Sequence, residues 1–174
     1  NIYFNDPISL FVDMDSCSDD IIESIKYSYT KDIEFTINKI TDKSQKFNII
    51  ILDKNTSKNS ASDIYQKIYL TANKLVKNGI LIIKIDNLFD KVIIDGIYIL
   101  SRLFDKISIF RPNTLPCFNF EKYIICKGFL DDKKINLQYN DNFNINSFLV
   151  NKIPMFFLNK INDINIITGQ KILE

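Results

Sequence analysis

Residues Leu75–Phe129 read LVKNGILIIKIDNLFDKVIIDGIYILSRLFDKISIFRPNTLPCFNFEKYIICKGF. A glycine follows a helical pattern, and the buried run Ile80–Ile85 then carries one lysine, Lys84. A second helical pattern leads into two β-rich runs joined by a proline-containing loop, and Glu121 opens the last of them. Charged residues are costly inside apolar strands, so both Lys84 and Glu121 require an explanation.

The rest of the chain continues this alternation of strands and helices. The run Phe47–Leu52 is continuously apolar, as expected of a parallel strand that is covered on both faces. Asn78-Gly79 is expected to end a helix, with the glycine in the left-handed conformation. The patterns predict strands over Ile8–Asp13, Ile33–Ile40, Phe47–Leu52, Ile80–Ile85, Ile107–Phe110 and Lys122–Lys127, and helices over Asp63–Val76 and Lys91–Leu103.

This order predicts an α/β fold with a mostly parallel sheet and helices on both faces. The last two strands are too close in sequence for a crossover helix, so they are expected to pair antiparallel. One antiparallel strand at the end of a parallel sheet is the pattern of the Rossmann-like methyltransferase fold. We expect a core domain over residues 1–130 and a C-terminal extension over residues 131–174 that packs on it.

Composition excludes several classes of site. The net charge of +1 gives no global attraction to nucleic acid, so an RNA contact would need a local basic patch. The chain has no histidine, which excludes a Ser-His-Asp triad, a Cys-His dyad and ordinary His-ligated zinc; no metal site is predicted. Three cysteines leave an odd thiol, which fits a reducing compartment. No apolar run approaches the roughly 20 residues that span a bilayer, so a cytoplasmic location is expected.

Three charged residues carry a resemblance to a known family. Asp53 follows a buried strand, Lys84 ends the run GILIIK, and Glu121 lies in FEKY before IICKGF. Their order resembles the FtsJ-like (RrmJ-type) RNA ribose 2′-O-methyltransferases, which use a Lys-Asp-Lys-Glu tetrad and S-adenosylmethionine. The resemblance implies catalytic roles for Asp53, Lys84 and Glu121 in deprotonating a ribose 2′-hydroxyl. Residues Asn1–Pro7, where the family places its first lysine, contain none.

The family's cofactor loop is a strand, an acidic residue and a glycine-rich turn. Here the corresponding stretch is VDMDSCSDDIIESI, Val12–Ile25. The resemblance assigns Asp13, Ser16 and Asp53 to S-adenosylmethionine binding. The glycines are absent: the chain has four, and none precedes Gly79.

The resemblance also implies RNA contacts. Arg111 and Lys122, with Lys106, are expected to form a small basic face near Glu121. Phe118, together with Phe120, is a candidate for stacking on a base, although aromatic side chains in such a loop more often fill the core. The loop RPNTLPCFNFEKY resembles the family's K-P-x-x-S-R-x-x-S-E-Y stretch without its second arginine and its serines.

Two functions remain open. The first is 2′-O-methylation of RNA, for example of capped mRNA. The versions in large AT-rich DNA viruses look most similar, including the ending NDINIITGQ, which implies a place in the host cytoplasm or the virion. The second is an inactive methyltransferase-fold subunit that acts as a structural or allosteric partner in a capping complex or virus particle. A different Rossmann-like nucleotide binder is disfavoured because no glycine fingerprint follows any strand.

Overall fold

The computed structural model describes residues 7–14, 23, 24, 27, 32–37, 39–54, 60–85, 87–112, 121–130, 149 and 152–173. These residues contain six strands and three long helices. The strands are β1 (Ile8–Asp13), β2 (Ile33–Ile37), β3 (Phe47–Leu52), β4 (Leu75–Ile85), β5 (Phe104–Phe110) and β6 (Lys122–Phe129). The helices are α1 (Ser60–Lys74), α2 (Lys91–Leu103) and α3 (Met155–Leu173).

All six strands form one sheet in the order β2-β1-β3-β4-β6-β5. Strands β1 to β4 run parallel to one another, whereas β6 is antiparallel to both β4 and β5. The predicted fold class, a mostly parallel α/β sheet with an antiparallel strand, is therefore confirmed. The antiparallel strand is not at the end of the sheet as predicted. It lies between β4 and β5, where its apolar run has hydrogen-bonding partners on both sides.

The large core covers one face of the sheet. Register places Ile50 of β3 beside Leu81 of β4, and Ile83 beside Ile124 of β6, so their side chains share a face. Helices α1, α2 and α3 contribute residues to the same cluster, including the fully buried Leu100 of α2. A smaller cluster of Leu10, Val12 and Met14 packs with Ile33, Phe35, Ile49 and Ile51. Because Phe11 belongs to the large cluster and strand residues alternate, this smaller cluster lies on the opposite face.

The junction of α1 and β4 differs from the prediction. The helix ends at Lys74, and β4 starts at Leu75 without an intervening loop. Asn78, not Gly79, has the positive φ of 62°, which asparagine tolerates better than most residues. Gly79 is required for space instead, because a Cβ there would lie 2.6 Å from the Leu75 Cγ.

Other boundaries shift by a few residues. Strand β2 ends at Ile37 rather than Ile40, and β5 begins directly after α2, at Phe104 rather than Ile107. Gly128 was expected to end the last strand but lies within β6, with φ of 75°. A Cβ at this position would lie 2.5 Å from Asp105 Oδ2, so both backbone conformation and space require glycine.

Candidate functional site

The carboxyl ends of three neighbouring parallel strands meet at one edge of the sheet. Asp13 ends β1, Asp53 follows β3, and Lys84 is the penultimate residue of β4. The backbone N–H groups of Asp53 and Lys54 both donate to the Asp13 carbonyl oxygen, at 2.9 and 3.1 Å. These bonds hold the two predicted acidic residues side by side, at the position where open α/β sheets bind ligands.

Lys84 and Asp53 form an ion pair at this edge. The Lys84 Nζ lies 3.4 Å from Asp53 Oδ1, and the two side chains are only 16% and 18% exposed. Because the pair is partly buried, solvent and salt screen its attraction less than they would screen that of an exposed pair. The structure thus brings together two of the three side chains that the sequence singled out for catalysis.

Tyr123 is a third member of this group that the sequence analysis missed. It lies directly opposite Lys84 in the β4–β6 register, and its hydroxyl donates a 3.1 Å hydrogen bond to Asp53 Oδ1. Burial raises the pKa of Tyr123 to about 12, together with the charge of Asp53, the hydrogen bond to it and the charge of Glu121. Tyr123 therefore stays a neutral donor at physiological pH. The signal in the sequence was a tyrosine at the start of an apolar strand, whose hydroxyl needs a partner when buried.

Glu121 lies at the same end of the sheet. It immediately precedes β6, whose first residue, Lys122, pairs with Ile85 of β4. Its side chain is partly buried, and its charge helps to raise the pKa of Tyr123. Glu121 is thus close enough to Tyr123 to act on it electrostatically. Its catalytic role stays a prediction.

Lys122 and Arg111 are neighbours across β5 and β6, because Arg111 directly follows Phe110, the partner of Tyr123. The Lys122 side chain is only 1% exposed. Burial lowers the pKa of Lys122, and the positive charge of Arg111 lowers it further. Two adjacent cations are therefore held near Glu121, with Arg111 the more accessible of them. Their predicted contact with RNA stays a prediction.

Three residues named in the sequence analysis lie outside the described part of the chain: Ser16, Phe118 and Phe120. Lys106, the other predicted cation, is exposed on β5. It pairs with Lys127 near the far end of β6, away from Glu121. The structure therefore does not bring Lys106 to the edge where Lys84 and Asp53 lie, which corrects its assignment to a basic face near Glu121.

A second residue that the sequence patterns did not predict contacts the backbone of Lys84. Lys67 of α1 is 3% exposed and pairs with Asp63, one helical turn earlier, at 2.7 Å. Its Nζ also donates to the backbone oxygen of Lys84 at 3.2 Å. The i, i+4 spacing of the acid and the lysine was visible in the sequence, but it is equally common on solvated helix faces.

Among the described residues, no helix is long and apolar enough to cross a membrane.

Comparison with known proteins gives one sequence match and several structural ones. Over 75 residues the chain is 31% identical to "Cap-specific mRNA (nucleoside-2'-O-)-methyltransferase 1" of Drosophila melanogaster. The match covers 42% of this chain and 10% of that protein, so the chain spans about a tenth of the curated relative that it matches. No protein family model matches the chain.

Among solved structures, "Alphavirus P23pro-zbd" aligns with a TM-score of 0.50 and 17% identity, over 70% of this chain and 20% of that one. Human methyltransferase-like protein 13 in complex with SAH aligns with a TM-score of 0.44 and 8% identity, over 94% of this chain and 82% of that one. At such low identities the structural likeness concerns the fold alone.

Proposed function

We propose that this domain methylates the 2′-hydroxyl of an RNA ribose, with S-adenosylmethionine as the methyl donor. The observation that carries the proposal is the contact between Lys84 and Asp53 at the carboxyl edge of the sheet, 3.4 Å apart and largely shielded from water. The sequence similarity to a cap-specific mRNA 2′-O-methyltransferase supports RNA, and capped mRNA in particular, as the substrate class.

The contacts at this edge support a role for each of these residues. We propose that the Lys84 side chain takes up the proton of the ribose 2′-hydroxyl, whose oxygen becomes the nucleophile. Asp53 Oδ1 lies 3.4 Å from Lys84 Nζ and stabilises the ammonium that results. Tyr123 donates to the same carboxylate oxygen and fixes its orientation. Glu121 adds negative charge beside Tyr123.

The residues at this edge fit the proposed donor. S-adenosylmethionine carries an amino group and ribose hydroxyls, and it supplies an activated methyl group when bound. Asp13 and Asp53 present two partly buried carboxylates at adjacent strand ends, linked through their backbones. Carboxylates are the acceptors that such amino and hydroxyl donors require. We assign cofactor binding to these two residues and to Ser16, which comes three positions after Asp13 in the sequence.

The setting that we infer is mRNA capping in a virus, in the host cytoplasm or the virion, with a protein partner. The ending NDINIITGQ and the abundance of Ile, Asn and Lys support this setting. We further propose that residues 1–130 form the catalytic core and that residues 131–174 are an extension packed on it. The contact of the buried Ile161 of α3 with the large core supports this division.

A second candidate function is an inactive methyltransferase-fold subunit. It is favoured by the sequence of residues Ser16–Asp20, which has no glycine and contains two aspartates where the family has a glycine-rich turn. Under this alternative the site would bind no methyl donor, and the domain would act through a protein partner.

The test is transfer of a radiolabelled methyl group from S-adenosylmethionine to short capped and uncapped RNAs. Lys84→Ala should lower the rate roughly 100- to 10,000-fold, which is the usual contribution of a general base. Lys77→Ala is the matched control, because Lys77 is an exposed lysine of the same strand, seven positions earlier. Its rate should equal that of the wild type.

The outcomes separate the two functions. Full activity in Lys84→Ala would remove Lys84 from the mechanism. No transfer by the wild type, together with no S-adenosylmethionine binding up to millimolar concentration in calorimetry, would establish the inactive subunit instead.

A further inference from the structure

We infer that Lys67 is a positioning residue that holds the backbone of Lys84 in place for methyl transfer. This inference rests on the proposed function, because it concerns the placement of the proposed catalytic lysine. The observation behind it is a buried ammonium group on α1 that bonds the main chain of β4.

Burying a lysine side chain costs desolvation free energy that other contacts must offset. Lys67 is 3% exposed, and lysines are almost never buried to this degree unless they are paired. Asp63 supplies part of the compensation at 2.7 Å. An exposed pair on the helix surface would give the same helix stabilisation without the cost of desolvation. The additional contact that burial makes possible is the hydrogen bond to Lys84.

That hydrogen bond lies where the sheet ladder ends. The register of β3 against β4 stops at the pair Leu52–Ile83, so Lys84 is the first residue of β4 beyond the end of β3. The Lys67 Nζ donates to the Lys84 carbonyl oxygen at 3.2 Å and so provides a donor at this point. Hydrogen bonds from a charged donor are stronger than neutral ones, so this contact fixes the backbone firmly.

Fixing this backbone sets the geometry of the site. Lys84 is paired with Tyr123 of β6, and its carbonyl oxygen accepts the hydrogen bond from the Lys67 ammonium. The side chain of Lys84 then reaches Asp53 from an anchored Cα. Because a shift of about 1 Å at a reacting group costs on the order of 100-fold in rate, such an anchor matters for catalysis. Lys67 itself is buried against Asp63 and the Lys84 carbonyl, so we assign it no contact with substrate.

The test measures the chemical reactivity of Lys84 directly and needs no activity. Limited acetylation with acetic anhydride, followed by peptide mass spectrometry, gives the modification rate of Lys84 relative to that of the exposed Lys77. In Lys67→Met the relative rate of Lys84 should rise several-fold, because the strand end is released and Lys84 separates from Asp53. Thr71→Val is the matched control. Thr71 is buried on the same helix and its hydroxyl bonds the Lys67 carbonyl at 2.7 Å, but the ammonium is left intact.

If folded Lys67→Met acetylates at Lys84 no faster than the wild type, the inference is overturned. It is also overturned if the acetylation rate of Lys84 rises equally in Thr71→Val. Should Lys67→Met fail to fold, Asp63→Asn takes its place. That variant removes the charge that holds Lys67 and should raise the Lys84 rate by a smaller factor, and no rise would count against the inference.

Activity gives an independent readout. In an active enzyme, Lys67→Met should lower kcat and leave KM for RNA unchanged, because the residue acts on the catalytic group and not on substrate binding. If the wild type transfers no methyl group while the labelling responds as expected, the proposed function fails and the anchoring of Lys84 stands.

Discussion

At the scale of single residues, the site is organised around one oxygen atom. Asp53 Oδ1 accepts the hydrogen bond of the Tyr123 hydroxyl at 3.1 Å and lies 3.4 Å from Lys84 Nζ. An ionised Tyr123 would face this carboxylate at close range, which is one reason why its pKa is raised to about 12, after burial itself. The carboxylate thus has a neutral donor and a cationic one, and both hold it in the same orientation.

Tyr123→Phe should lower the free energy of unfolding by about 1 to 2 kcal/mol, because the hydroxyl bonds a charged, partly buried acceptor. The measurement is urea unfolding of the wild type, Tyr123→Phe, Asp53→Asn and the double variant. A coupling energy of about 1 kcal/mol between the two positions is expected for a direct contact.

Tyr69→Phe is the control for this cycle, since Tyr69 lies on the exposed side of α1 with 48% exposure. It should change stability by less than about 0.5 kcal/mol, as surface substitutions usually do. Additive effects of Tyr123→Phe and Asp53→Asn would show that the hydrogen bond contributes nothing to folding.

At the scale of secondary structure elements, helices α1 and α2 pack closely against each other. Gly96 of α2 faces α1, and a Cβ there would lie 2.5 Å from Ile64 Cγ1 and 3.5 Å from Ile68 Cδ1. Ile64 and Ile68 are each 1% exposed and belong to the large core cluster. The approach of α1 to α2 therefore depends on the missing side chain of Gly96, and α1 is the helix that carries Lys67.

Gly96→Ala should destabilise the domain by up to about 2 kcal/mol, because overpacking costs roughly 1 to 3 kcal/mol and the gain in helix propensity offsets about 1 kcal/mol of it. Gly169→Ala is the matched control in α3, where a Cβ would meet no atom within 4 Å. That change should stabilise by up to about 1 kcal/mol through helix propensity.

Thermal or urea unfolding measures both variants. Adding Ile64→Ala to Gly96→Ala makes room for the new methyl group, so the two substitutions should destabilise by less than the sum of their separate effects. If Gly96→Ala proved as stabilising as Gly169→Ala, the close helix contact would be refuted.

At the scale of the whole molecule, β6 concentrates titratable groups within the sheet, one strand away from its edge. Burial raises the pKa of the Cys126 thiol from 9.0 to about 12, and the pKa of Tyr123 is raised from 10.0 to about 12. Lys122 is shifted the other way, with a pKa lowered mainly by burial. Because the unfolded chain releases the thiol and phenol protons first, alkaline pH favours unfolding through these two groups.

The contribution of these two groups to the free energy of unfolding should be fully present below about pH 9. It should be lost progressively as the pH rises from 9 towards 12. Lys122 opposes part of the fall, because its native form loses its proton before the unfolded form does. Urea unfolding at a series of pH values measures the slope. Cys126→Ala should be less stable at neutral pH, because it leaves a small cavity, yet its stability should decline less steeply above pH 9.

Comparison of the slopes isolates the buried thiol from other alkaline effects. Parallel curves for Cys126→Ala and the wild type would mean that the thiol titrates normally in the folded protein. A curve for Tyr123→Phe that is flatter only above pH 10 would locate the second contribution at the phenol.

Local sequence patterns predicted most of the elements and the carboxyl ends of β1, β3 and β4. Apolar periodicity is a local property, so β1, β3 and α2 were predicted with the bounds they have in the structure. Since carboxyl ends of parallel strands share an edge, the sequence also placed Asp53 and Lys84 together.

The surroundings of this pair depend on tertiary packing, which local patterns do not specify. The insertion of β6 between β4 and β5 brings Tyr123 to Asp53, 70 residues away in the chain. The packing of α1 buries Lys67 under the end of β4. A local pattern cannot specify either contact, because both depend on which strand edge and which helix face remain open once the rest of the sheet has formed. Long-range hydrogen bonds and desolvation, not local propensity, therefore complete the site.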